Sequence, residues 1–125
     1  MAGAHCRSAC VNSYAEYNEV RDSRIDWSKR ANYIRERHFV EPAWADEAVA
    51  DPEACWLAPD PASASGLSVR VIGYSGSADA VLTVILLPGR ADPGEPAEGE
   101  WWGVNAWPAS ERDQRLYLEK PDEQD

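Results

Sequence analysis

Leu67-Ser68-Val69-Arg70-Val71-Ile72-Gly73-Tyr74 and, past a turn at residues 76–79, Ala80-Val81-Leu82-Thr83-Val84-Ile85-Leu86-Leu87 decide the fold. In the first run Leu67, Val69 and Val71 alternate with Ser68, Arg70 and Ile72. Period 2 marks a strand and turns Arg70 away from the Val69/Val71 face. The second run is apolar on both faces from Val81 to Leu87, which marks a central strand. Gly76 to Asp79 joins the two as a hairpin. Trp101 to Trp107 reads as a third long strand, beyond a loop of prolines, glycines and acids at residues 88–99. Its Trp101-Trp102 pair must split between the two sheet faces, so one of the two is a candidate partner surface. Cys55-Trp56-Leu57 is a short fourth run.

Helices flank this meander. From Asp26 to Arg37, Trp27, Ala31 and Ile34 fall at i, i+4 and i+7 on one helical face. Pro42 suits the first turn of a second helix, Pro42 to Ala50, whose buried face is Trp44, Ala45, Ala48 and Val49. Asp51-Pro52 ends it, because the residue before proline avoids the helical region. Ser110 is a good N-cap for a last helix ending near Tyr117, with Asp113 three residues on approximating a capping box. The expected fold is α+β: two N-terminal helices packed on a small antiparallel sheet of three to four strands, followed by a C-terminal helix.

One domain is the natural count for 125 residues, here residues 24–120. Residues 1–23 show no apolar period and are expected to form a poorly ordered tail or frayed helix; residues 121–125 form an acidic tail. No run reaches the roughly 18 apolar residues of a membrane helix, and the start of the chain has no apolar signal core. That pattern predicts a cytoplasmic protein with no membrane partner. Three cysteines, Cys6, Cys10 and Cys55, make an odd number, which argues against a disulfide framework and fits a reducing compartment. His5, Cys6 and Cys10 form half of a zinc spacing with no second pair, so no metal and no cofactor are expected.

The net charge of −10 argues against nucleic acid as a general partner. Its distribution is uneven. Residues 24–40 hold five Lys/Arg against two acids, residues 41–60 hold six acids and no base, and residues 91–101 add four more acids. Cationic surface is thus focused on the first helix, with single arginines at Arg70, Arg112 and Arg115. His5 lies in the tail, so His38 is the one plausible histidine acid or base. Its simpler role is to meet the last carbonyls of the helix it ends. Arg70, mid-strand among apolar neighbours, either binds phosphate or lies on the wet face of the sheet. Arg112 and Arg115 decorate an exposed helix, and Tyr117 packs as an amphipathic anchor unless it takes part in chemistry.

Four stretches resemble the BrnT family of type II toxins, compact ribonucleases with a RelE-like fold. Ile25-Asp26-Trp27 through Arg37-His38-Phe39-Val40 is similar to the family's opening Trp, basic helix and Lys-His-Gly-Val segment. Trp44 to Asp51-Pro52 is similar to its second helix closing in Asp-Pro. Arg70-Val71-Ile72-Gly73 and Ala106 to Tyr117 are similar to its Arg and Ile-Gly strand and its Ala-Arg-x-Ala-Thr…Glu-x-x-x-Tyr ending. The family's arginine after Ala is Trp107 here, and its Glu before Tyr is Asp113.

The resemblance implies a toxin of a toxin–antitoxin system, a metal-independent endoribonuclease that inhibits translation and is held by a small antitoxin. Such cleavage needs an acid/base and cations on the phosphate. The implied catalytic residues are His38, Arg70 and Tyr117. The implied RNA-phosphate contacts are Lys29 or Arg30, with Arg112 and Arg115. The alternative is a catalytically degenerate BrnT-like protein-binding module, favoured by Trp107 and by the acidic surface. Loss of one phosphate-facing arginine removes a contact of about 1.5–3 kcal/mol.

Overall fold

The structure is a computed structural model, and it describes residues 24–119. The expectations for residues 1–23, with His5, Cys6 and Cys10, and for residues 120–125 lie outside the described residues. In chain order the elements are β1 (Ile25–Asp26), α1 (Ala31–His38), α2 (Pro42–Ala50), β2 (Cys55–Leu57), β3 (Val69–Ser75), β4 (Ala80–Pro88), β5 (Trp101–Pro108) and α3 (Glu111–Glu119). The architecture is α+β, but the sheet has five strands, ordered β1-β5-β4-β3-β2, rather than three to four. The meander β2–β5 is antiparallel, and the fifth strand, β1, runs parallel to β5.

β1 escapes sequence reading because two residues carry no period, and because Asp26 looks like a helix start. In fact the Asp26 carboxylate accepts the backbone N–H of Ser28 (2.9 Å) and its hydroxyl (2.6 Å). This Asx turn competes with helix, so α1 begins only at Ala31, whose N–H reaches the Trp27 carbonyl (2.8 Å). A further bond from the Glu98 N–H, with those from Ser28, holds the Asp26 carboxyl below its ordinary range. At the other end Phe39 stops α1 in the left-handed region (φ 58°), with its ring 81% exposed.

β4 is the central strand, as its two apolar faces require. One face of the sheet packs Val71, Leu82, Val84 and Ala106 against Ile34, Val40, Ala45 and Ala48 of the α1–α2 layer. α2 lies directly on β3 because Gly73 has no Cβ; one would run into the Ala48 carbonyl. Gly103 clears the same space for the Trp27 ring, whose indole N–H donates to Asp46 (2.9 Å). Partial burial there pushes the Asp46 carboxyl upward, and the indole bond offsets part of the effect. On the opposite face Ile72, Cys55 and Leu57 pack against Leu116, Tyr117 and Ala109.

Cys55 is fully buried and disulfide-bonded, so the expectation of no disulfide fails at this residue. The reducing compartment inferred from an odd cysteine count loses that support. Among the described residues, no helix is long and apolar enough to cross a membrane.

β5 carries a bulge opposite Ile85 and Leu86, which leaves Val104 unpaired in the ladder. Its carbonyl accepts the Arg30 Nε–H (2.8 Å), while the Ala106 N–H donates to the Asn105 side-chain oxygen (3.0 Å).

Candidate functional site

Trp107, the penultimate residue of β5 and paired with Thr83, stands between two of the expected catalytic groups. The His38 ring lies 5.9 Å from it and the Arg70 guanidinium carbon 5.8 Å from its centroid. His38 in turn meets Tyr33 edge-on at 5.8 Å, and Arg30 lies 4.0 Å over the Tyr33 ring. Arg30, Tyr33, His38, Trp107 and Arg70 thus form one ladder of cations and rings. The cause is local. Tyr33 and His38 both belong to α1, which packs on β5, and Arg30 is anchored beside it by the Val104 carbonyl. Such contacts are worth about 0.5–1 kcal/mol each near the surface. His38 itself is half-buried, and its Nε2 is shielded from solvent without a hydrogen-bond partner.

Arg70 is not left facing solvent. Its Nε donates to Asp60 Oδ1 (3.0 Å) and its Nη1 to Asp113 Oδ2 (2.8 Å). Both acids are buried, at 6% and 3% exposure, and the Thr83 hydroxyl also donates to Asp113 (2.7 Å). Asp60 is fixed in turn by the Ala62 N–H (3.1 Å). One guanidinium facing two carboxylates makes a cluster of net charge −1 when both acids are ionised. That sign repels a phosphate and accounts for the arginine structurally, since buried charges must be paired. A pocket of about 370 Å³ opens beside the cluster, lined in part by Leu57, Pro61, Ser110 and Arg112.

The remaining expected residues are dispersed. The Tyr117 hydroxyl donates to Asp51 Oδ2 (2.6 Å), which also accepts the Tyr74 N–H (2.8 Å). It therefore ties α3 to the α2–β2 corner, the anchoring role that its amphipathic character suggested. Arg112 and Arg115 are exposed on α3, and of the two only Arg112 lines the pocket. Lys29 pairs with Glu95 (2.8 Å) and stands 4.5 Å over Trp102, in a second cleft of about 290 Å³. The tryptophan pair splits as the strand period required: Trp101 enters the core, and Trp102 is half-buried in that cleft.

The structure therefore joins His38, Arg30 and Arg70 through aromatic rings, and places Tyr117, Lys29 and Arg115 elsewhere. Sequence reasoning missed Asp60, between β2 and β3, and the buried carboxylate of Asp113. Ser110 does cap α3 through the Asp113 N–H (3.2 Å), but the acid itself turns inward to Arg70. The available signal was the arginine: a mid-strand guanidinium among apolar residues demands a countercharge. Among the described residues, no group of three or more His, Cys, Asp or Glu is placed to hold a metal ion. No protein-family model matches the chain, and no curated protein matches it either.

Proposed function

We propose that the chain is the toxin-side member of a toxin–antitoxin pair and that it acts by binding its antitoxin, as a BrnT-like module whose ribonuclease chemistry is lost. The observation that carries this reading is the Asp60–Arg70–Asp113 ion cluster, in which the guanidinium is paired with two buried acids. The arginine expected to meet phosphate is neutralised twice over by buried acids. Trp107 adds a ring where the family has a second arginine, and Tyr117 is committed to Asp51. A surface of net charge −10 suits a basic partner better than RNA.

A second reading, the metal-independent endoribonuclease, is favoured by one observation. His38 and Arg70 both reach the Trp107 ring, so an acid/base and a cation lie beside a surface that can stack a base. The two readings part on induction in a bacterial host. A binding module leaves growth unchanged, does not cut labelled RNA with chelator present, and co-purifies with the product of the neighbouring reading frame. Growth arrest relieved by His38→Ala or Arg70→Lys, in variants shown to stay folded by circular dichroism, transfers the assignment to the nuclease.

A further inference from the structure

The cleft at Trp102 is built like a cation box. Its floor is the Trp102 ring with Leu87 and Gly103, and its rim carries Asp92 and Glu95. The chain already fills it with a cation of its own. Lys29 Nζ sits 4.5 Å over the Trp102 ring and 2.8 Å from Glu95 Oε1. An indole face below and a carboxylate beside are the two groups that hold a guanidinium, one through the ring and the other through paired N–H bonds. A lysine uses the arrangement poorly, because its compact ammonium lacks the planar fork. The hold is also loose: the two side chains are 50% and 61% exposed, the regime in which ion pairs contribute little.

The surroundings favour a positively charged visitor. Residues 91–101 carry four acids and no base. Arg30, the other cation of the cleft, is already committed to the Val104 carbonyl and the Tyr33 ring.

We propose that the Trp102 cleft is the docking site for an arginine side chain of a basic protein partner, and that Lys29 is a built-in placeholder which the arginine displaces. This rests on the reading of the chain as a protein-binding module, and names the chemistry by which it engages its partner. Removing Lys29 strengthens binding of a positive ligand, the opposite of what an RNA site would show, while preference for arginine over lysine and dependence on the Trp102 ring separate the cleft from a general acidic surface.

The test uses the full chain and a fluorescein-labelled peptide of alternating Ala and Arg, with Lys and citrulline versions as controls. The Arg peptide is expected to bind saturably and about tenfold more tightly than the Lys peptide, with citrulline weakest. Trp102→Ala and Glu95→Gln should each weaken it by about tenfold, and Lys29→Ala should tighten it severalfold. Trp102→Phe, which keeps an apolar floor, guards against misfolding and should fall between the wild type and Trp102→Ala. Absence of saturable binding, equal affinity for Arg and Lys peptides, indifference to Trp102→Phe and Glu95→Gln, or weakening by Lys29→Ala each overturns the proposal. Tighter binding of a single-stranded RNA probe, lost on Lys29→Ala, overturns it in favour of an RNA site. Failure of the peptide experiment while the neighbouring gene product still co-purifies ends this inference alone. Loss of that co-purification ends the binding-module reading.

Discussion

On one face of the sheet, Val71, Val84 and Ala106 meet Ile34, Ala45 and Ala48 from the helices above. On the other, Arg70 and Thr83 point into the single carboxylate of Asp113. The first face is held by apolar burial, which is non-directional and tolerates small shifts. The second joins β3, β4 and α3 through charged hydrogen bonds that work only at fixed geometry. An apolar layer fixes that the helices pack; the ion cluster fixes where α3 sits. The polar face is therefore the more fragile of the two to single substitutions, although it buries fewer side chains.

That contrast breaks first at Arg70. Arg70→Met leaves Asp60 and Asp113 buried without a countercharge, and should cost about 3–5 kcal/mol in chemical denaturation. Replacing all three charges with apolar residues should recover most of the loss; if it does not, the cluster stabilises the fold by more than mutual compensation. On the apolar face the weak point is steric. Gly73→Ala pushes a methyl group into the Ala48 backbone and should cost about 1–3 kcal/mol by the same measurement. A smaller effect separates anchoring from chemistry at Tyr117. Tyr117→Phe loses the bond to Asp51 and should cost about 1 kcal/mol with no change in partner binding.

The pH dependence is the finest probe, and it reads the rim of the apolar face. Asp46 has a raised folded-state pKa, so its contribution is favourable at acid pH and is lost as pH rises through that value. Asp46→Asn keeps an oxygen for the Trp27 indole and should raise Tm at pH 7 while leaving it unchanged near pH 3. Glu47 has the opposite sign. The bonds it accepts from Ser77 and Ser75 lower its pKa, so its contribution is present at neutral pH and fades on acidification. Glu47→Gln should therefore lower Tm at pH 7 and converge with the wild type in acid.

How far the sequence foretold this depends on how local each signal is. α2 and the central strand β4 were legible because their periods lie within a few residues. The split of Trp101 and Trp102 followed from the same alternation. β1 was not legible, since two residues leave no period and its pairing with β5 spans some seventy-five positions. The Arg70 cluster was hidden for a similar reason. Its two acids lie 10 and 43 residues away, and nothing in their neighbourhoods says which carboxylate folds inward. The arginine is visible in the sequence and its satisfaction is not, so its reading stays divided between a phosphate binder and a side chain on the wet face of the sheet.

Phe39 belongs to the same account. It adopts the left-handed conformation that glycine tolerates best. With its ring in solvent, Phe39→Gly should give up little packing and gain up to about 1 kcal/mol by relieving the backbone. A loss of stability instead would show that the entropy glycine adds to the unfolded chain outweighs the relieved backbone.

The outer margin of β5 has one more consequence. Beyond the two residues covered by β1, its Val104 carbonyl is taken by Arg30 and its Ala106 amide by Asn105. An incoming extended peptide would find these main-chain groups already satisfied and gain little by lying alongside. This stretch of the β5 margin is thus a poor template for strand addition, and a protein that recognises it gains more from side chains inserted into the neighbouring cleft.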